Sequence, residues 1–283
     1  MEVFKEIFPL REHLKTIRAA HKTIGFVPTM GALHEGHMAL VKNSLEENDF
    51  TICSVYVNPT QFNNASDLKN YPRELEKDLQ LLKNKGCDAV FAPSDNIIYP
   101  EKTAITIDFG SLANRLEGAF RPGHFNGVAT IVSKLFHIVE PDQAYFGQKD
   151  LQQFLIIKQL VEDLSFQIKL RCVEIVREDD GLARSSRNKR LSEKERDKAV
   201  VLHQALLKAR DLLLTGKSVG DCKSEVSQLF SEPSVKLEYF EVVDANSLKV
   251  ITNISEPKNV AICVAAFVGE VRLIDNIIFS KEL

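Results

Sequence analysis

The sequence predicts an α/β protein in which a mostly parallel, helix-covered sheet is followed by a smaller α+β domain. Three observations predict it. Short β-rich runs alternate with helix-like segments through the first half of the chain, and such alternation gives βαβ units and a parallel sheet. After about residue 176 the text changes to helices followed by three strands. The length of 283 residues also suits one large domain or two ordinary ones.

The elements follow in order. Thr23–Pro28 is a short β-rich run after a polar helix-like segment, and His37–Asn48 has helical composition. Phe50–Val57 is rich in β-branched and aromatic residues, as strands are. Asp67–Lys85 places Leu68, Leu75, Leu79 and Leu82 at helical spacing. Asp88–Ala92 reads as the next strand, Asn126–Val139 as a helix, Gln143–Phe146 as a strand and Asp150–Leu164 as a helix. Phe166–Val176 is a long β-rich run. Ser192–Leu214 reads as one long helix, with Ser192 as N-cap and Glu195 completing a capping box. Lys236–Val243, Val260–Phe267 and Val271–Phe279 are the closing strands.

Composition narrows the function classes. The net charge of −3 gives no basic excess for gripping a phosphate backbone, so no nucleic acid is expected. The longest apolar run, Val260–Val268, is far short of the roughly 18 residues a membrane span needs. The first fifteen residues carry scattered charges and no apolar stretch, so no secretory signal is expected. Five widely spaced cysteines with no CxxC pair point to free thiols and a cytoplasmic location. Cys53 and Cys263 lie in apolar strand text and read as core residues. His13, His21 and His137 carry no companion signal, and His203 falls mid-helix.

Five strings carry candidate chemistry. Pro28 to His37 (PTMGALHEGH) falls between a strand and a helix, where free N–H groups and the helix dipole favour phosphate. His34 and His37 are one helical turn apart and share a face. An HxxH pair alone more often marks two surface histidines; the whole string in its strand–helix setting favours a phosphate site. Asn58-Pro59-Thr60-Gln61-Phe62 follows the next strand and offers amides to a ligand bearing hydroxyl and carboxylate groups; an ordinary turn is the alternative. Arg121 to Gly127 (RPGHFNG) opens a helix with a cation, a histidine and two glycines, which is either an anion-friendly helix start or a capped helix with a structural histidine. Gly147 to Gln153 (GQKDLQQ) offers Lys149 as a point charge for phosphate, or a surface Lys–Asp pair. Arg184-Ser185-Ser186-Arg187-Asn188 follows Asp179-Asp180-Gly181 and suits a triphosphate, although such charge runs are often solvated linkers.

Together these strings resemble the pantoate–β-alanine ligase (pantothenate synthetase) family. PTMGALHEGH is similar to that family's version of the HIGH signature of nucleotidyltransferases. VNPTQF, RPGHFNGV, PDQAYFGQKDLQQ and DGLARSSRN occur in the family's order. The resemblance covers most of the first 190 residues. It implies a Rossmann-like doubly wound parallel sheet over residues 1–176 that binds ATP and pantoate, an α+β C-terminal lid domain over 177–283, and a homodimer. It also implies two half-reactions: pantoate attacks the α-phosphate of ATP, and the β-alanine amine then displaces AMP from the adenylate. Mg²⁺ would travel with the triphosphate, so no dedicated protein metal site is expected.

Carried over by motif, Met30, Gly31, Ala32, Leu33, His34, Glu35, Gly36 and His37 would line ATP, with both histidines at its phosphates. Gln61 and Gln153 would bind pantoate, assisted by Asn58 and Tyr71. Gly147, Gln148, Lys149 and Asp150 would contact ATP, with Lys149 near the transferring phosphate. Val176 would meet adenine through its backbone, and Ser185, Ser186 and Arg187 would close over the phosphates. The family commonly has Met where this chain has Arg184. A different nucleotidyltransferase of the HIGH type, or a nucleotide-binding protein without catalysis, are the alternatives. The former would leave the nucleotide on its product, whereas a ligase releases AMP.

Overall fold

Alternating side chains along one buried strand set the layers of the first half of the molecule. The computed structural model describes residues 1–255 and 259–280. The elements begin with β1 (Glu2–Phe4), α1 (Ile7–Ala19), β2 (Ile24–Thr29), α2 (Glu35–Glu47), β3 (Phe50–Val55), α3 (Ala65–Lys69), α4 (Leu75–Lys85) and β4 (Ala89–Phe91). They continue with α5 (Asp95–Ile98), α6 (Leu116–Phe120), α7 (His124–Val139), β5 (Gln143–Gly147), α8 (Leu151–Asp163) and β6 (Lys169–Val173). Six strands form one sheet in the order β1-β4-β3-β2-β5-β6, and every neighbouring pair is parallel.

Successive strand residues point to opposite faces, and β2 shows the consequence. Val27 joins Met38, Val41, Cys53, Leu82 and Val90 in a core beneath α2 and α4. Phe26 faces the other way and meets Phe136 of α7 edge-on, with centroids 6.4 Å apart. Helices therefore cover both faces, and the expected doubly wound parallel sheet is the observed one. Burial pushes the Cys53 and Cys87 thiols up, the latter to about 12, which makes them core residues and not nucleophiles.

Strand order matters for where a ligand can sit. From β2 the chain builds outward through β3 and β4 on one side and through β5 and β6 on the other. The order reverses between β2 and β5, and ligands of open α/β sheets bind at the strand carboxyl ends beside such a reversal. The PTMGALHEGH string leaves β2 at that end.

A second set of elements follows: α9 (Glu193–Ala199), α10 (Val201–Leu214), α11 (Val219–Ser227), β7 (Val235–Asp244), β8 (Asn259–Val268) and β9 (Val271–Ser280). The three strands form an antiparallel sheet in the order β7-β8-β9. Leu202, Leu206 and Leu213 of α10 pack with Val242, Ile262, Val264 and Leu273 of the sheet. The chain divides into two compact units, Met1–Gly147 with Ile156–Glu174, and Gln148–Leu155 with Ile175–Leu283. The Gly147-to-Gln153 string thus crosses from one unit to the other.

Three elements depart from the pattern in the sequence. The helix expected over Asp67–Lys85 is two helices, α3 and α4. Pro72 lacks an N–H and disfavours helical backbone at Tyr71, so the leucine spacing does not carry through. The helix expected over Ser192–Leu214 parts into α9 and α10 at Val200, while its capping box of Ser192 and Glu195 is present. Only Lys169–Val173 of the β-rich run Phe166–Val176 is strand.

Close packing of α2 on β2 yields a test. A Cβ at Gly25 would lie 2.2 Å from Ser44 Oγ and 2.5 Å from Asn48 Nδ2. Neither can step aside freely: Ser44 Oγ is bonded to Thr51 Oγ1 at 2.8 Å, and Asn48 Nδ2 donates to Tyr145 at 2.7 Å. Gly25→Ala should therefore destabilise by about 1–3 kcal/mol, the usual scale of overpacking. Urea unfolding measures it, and an unchanged midpoint would contradict the close approach.

Candidate functional site

The loop after β2 is held by a buried carboxylate. Gly31 takes a φ of +78° and Ala32 one of +51°, and positive φ is costly for a residue with a Cβ. Asp78 of α4, only 1% exposed, offsets that cost. Its two oxygens accept from Ala32 N at 2.9 Å and Leu33 N at 2.8 Å. Thr29 Oγ1 also accepts from Gly31 N at 3.2 Å. The loop is thus fixed by charge-assisted hydrogen bonds before α2 begins.

The two histidines then cap α2 together. His34 is the N-cap and its Nδ1 accepts from Gly36 N at 3.1 Å. Nδ1 of His37 accepts in turn from His34 N at 3.3 Å. The rings lie 4.1 Å apart, centroid to centroid. A nitrogen that accepts carries no proton, so each neutral ring holds its proton on Nε2. Two N–H donors are therefore set at the N-terminus of a helix, where anions are favoured.

Gln61 is built into the same unit. It is 7% exposed. Its Nε2 donates to the Met30 sulfur at 2.9 Å, and its Oε1 accepts from Asn58 Nδ2 at 3.1 Å. The Asn58 amide is engaged on every side: Nδ2 also donates to Gly127 O, and Oδ1 accepts from Thr60 Oγ1 and Tyr99 OH at 3.0 and 2.8 Å. Asn58 thereby orients Gln61. Tyr71 packs edge-on against Phe62, 5.5 Å away.

The RPGHFNG string supports this turn. His124 is buried, and its Nδ1 lies 2.8 Å from the Gln61 carbonyl. A Cβ at Gly127 would lie 2.3 Å from the Thr60 carbonyl oxygen. Arg121 pairs with Glu117 at 3.9 Å. His124 thus makes the contact that the structural-histidine reading of this string expects.

The second unit carries the remaining candidates. Gln148–Asp150 forms a single tight helical turn ahead of α8. Lys149 Nζ stands 3.4 Å from Asp150 Oδ2, with the lysine side chain 18% exposed. Gln153 lies in the first turn of α8. The Val176 carbonyl accepts from Arg184 N at 2.9 Å, closing a loop around Gly181. Ser185 caps the short turn Ser186–Arg190 by accepting from Arg187 N at 3.3 Å. Ser186 is buried, whereas Arg184 and Arg187 are half-buried. Arg196 holds the base of the loop through Glu178 and Asp180, at 2.6 and 2.8 Å, and keeps the Asp180 carboxyl below its usual range.

Paired donors at a helix start, beside the reversal point of a parallel sheet, define an α/β protein of the nucleotide-binding class. The chain belongs to the pantoate–β-alanine ligase family, whose model matches residues 2–278. The pantothenate synthetase of Bacteroides thetaiotaomicron is 46% identical over 282 residues, covering 99% of this chain and 100% of its own. That of Thermosipho africanus is 47% identical over 279 residues, covering 98% and 100%. The crystal structure of pantothenate synthetase from Thermus thermophilus superposes with a TM-score of 0.92 at 42% identity, covering 98% of this chain and 99% of that one. The pantoate–β-alanine ligase of Francisella tularensis, solved with beta-gamma ATP and β-alanine, gives 0.83 at 36% identity, covering 100% and 98%.

Sequence reasoning passed over Asp78 and Asn276. Both carried a signal. Asp78 falls on the Leu75–Leu79–Leu82 stripe of α4, and Asp275-Asn276 interrupts the apolar run of β9. A charge or amide on a face that must be buried needs a partner. Replacing Asp78 with Asn should turn an N–H toward one of the two backbone donors and leave that donor unpaired. Asp78→Asn is expected to lower stability by about 1–3 kcal/mol, read by urea unfolding; an unchanged midpoint would show that the loop holds itself.

Proposed function

We propose that the protein joins pantoate to β-alanine at the expense of ATP, through a pantoyl adenylate. The observation that carries this reading is the histidine-capped start of α2 at the carboxyl end of β2, in a chain of this family. In the first step a pantoate carboxylate oxygen attacks the α-phosphorus, and pyrophosphate leaves. In the second the neutral amine of β-alanine attacks the acyl carbon, the bond to the phosphate oxygen breaks, and AMP leaves. The amine proton passes to solvent.

The chain's own residues position reactants and stabilise charge. His34 and His37 donate from Nε2 to phosphate oxygens, and Lys149 adds a cation at the transferring phosphate. Ser185, Ser186 and Arg187 supply hydroxyls and a planar guanidinium for the remaining phosphate oxygens. Met30–Gly36, Gly147, Gln148, Asp150, Val176 and Arg184 complete the nucleotide contacts in this reading. Gln61 and Gln153 recognise the pantoate hydroxyls and carboxylate, with Asn58 and Tyr71 holding the Gln61 side. Ordering of the Gly181–Asn188 loop over the phosphates would exclude water from a hydrolysable mixed anhydride.

Mg²⁺ belongs to the same reading as a companion of the triphosphate. Most of the candidate side chains are cations, imidazoles, hydroxyls and amides, a set suited to phosphate oxygens. Of the two carboxylates among them, Asp150 pairs with Lys149 at 3.4 Å, and most of the hard oxygen ligands that Mg²⁺ requires would come from the phosphates and water. A homodimer in the cytoplasm completes the proposal. All five cysteines are free thiols, as a reducing compartment would keep them.

The test is isotope exchange. With ATP, Mg²⁺ and pantoate but no β-alanine, labelled pyrophosphate should enter ATP, because the first step is reversible. Exchange that requires β-alanine would contradict a stepwise adenylate.

A further inference from the structure

β9 is an edge strand of the antiparallel sheet, and two adjacent polar residues interrupt its apolar sequence. Asp275 and Asn276 are each 3% exposed. Groups buried this deeply must be hydrogen-bonded, and here Asn276 binds one candidate phosphate string while Asp275 binds Arg177, which in turn reaches the Gly181 carbonyl of another.

Asn276 takes the first string. Its Nδ2 donates to the carbonyls of Gln148 and Lys149, at 3.0 and 2.9 Å, and its Oδ1 accepts from Gln148 Nε2 at 3.1 Å. Both amide hydrogens are therefore used on consecutive carbonyls of one turn. Such a pair of bonds fixes the peptide planes on both sides of the Lys149 Cα, and with them the direction of its side chain.

Asp275 takes the second string through Arg177. The pair is bidentate, with Arg177 Nη1 on Oδ2 at 2.7 Å and Nη2 on Oδ1 at 3.0 Å. Arg177 Nη1 also donates to the Gly181 carbonyl at 3.0 Å, and Nη2 to the Asn276 carbonyl at 3.2 Å. One strand thus grips the Lys149 turn with an amide and the Gly181 loop with an ion pair.

We propose that Asn276 is the positioning residue of Lys149, and that Asn276 and the Arg177–Asp275 pair act as one clamp setting the Lys149 turn and the Gly181–Asn188 loop in register. Asn276 touches no reacting atom; it acts only through the backbone of the turn. The proposal rests on the assignment of Lys149 to the transferring phosphate. Misplacing a catalytic group by an ångström is enough to cost about 10²-fold in rate, and the clamp has the reach to prevent it.

A double-mutant cycle separates positioning from simple stability. Pantothenate formation at saturating substrates is compared for wild type, Asn276→Ala, Lys149→Ala and the double variant, at a temperature where all are folded by circular dichroism. Lys149→Ala should lower kcat about 10²–10³-fold, the scale of one electrostatic donor. Asn276→Ala should lower it about 10²-fold. The double variant should fall within about twofold of Lys149→Ala, because residues acting through one another are not additive. Asn276→Ser, a smaller loss of side chain, replaces Asn276→Ala in the cycle if the latter does not fold. Multiplying losses in the double variant, or wild-type turnover when Asn276 is replaced, would overturn the clamp while leaving Lys149 in place. Wild-type turnover in Lys149→Ala would overturn the assignment of Lys149 as well.

Discussion

Two backbone N–H groups, those of Ala32 and Leu33, point at the carboxylate of Asp78, and the geometry of the loop that leads into α2 depends on that contact. The loop contains a non-glycine residue at positive φ, a conformation it would leave if unsupported. The carboxylate comes from a different helix, forty-six positions along the chain from Ala32. Forming the loop therefore requires the α2–α4 layer to be packed, and packing of Leu33, Met38 and Leu82 in one core supplies that layer. Fold and site are in this sense one event: the hydrophobic face of the sheet sets the carboxylate, and the carboxylate sets the start of α2.

From that start the histidine tautomers follow without further machinery. Each Nδ1 is occupied as an acceptor within the helix cap. Each Nε2 is thereby the donor, fixed in direction before any ligand arrives. Preorganised donors of this kind do not reorient at the moment charge moves, which is where electrostatic catalysis gains its advantage. The second unit repeats the device with different residues. Buried polar groups on β9, rather than on a helix, hold the turn that carries Lys149. In both units a buried polar side chain, Asp78 in the first and Asn276 in the second, fixes the backbone of a segment proposed to meet the nucleotide.

Much of this was legible in the sequence. Strand–helix alternation implied the parallel sheet, and the later order of helices followed by three strands matched α9–α11 and the antiparallel sheet. The capping box at Ser192 was readable because its signal is local. What escaped has a common cause. The Asp67–Lys85 segment kept helical leucine spacing across Pro72, and periodicity outweighed a backbone restriction that only one residue announces. The RPGHFNG string left an anion-friendly helix start and a structural histidine equally open, because His124 and Gly127 face the 58–61 turn, a distant partner that spacing cannot reveal. Asp78 and Asn276 were written into apolar stripes, where a polar residue is a question about a distant partner. Local strings disclosed the groups that face ligands; the groups that hold them required the tertiary structure.

The central claim is that this arrangement activates a carboxylate by transferring an adenylyl group to it. One measurement addresses it directly. Pantoate labelled with ¹⁸O in both carboxylate oxygens is turned over with unlabelled ATP and β-alanine in unlabelled water, and the products are weighed by mass spectrometry. The oxygen that attacks phosphorus stays with the phosphate when the amine displaces it. AMP should therefore carry one ¹⁸O and the pantothenate amide the other. ADP with the missing label in inorganic phosphate, or unlabelled AMP with the label in pyrophosphate, would mean that the carboxylate attacked a different phosphorus, and would contradict the account.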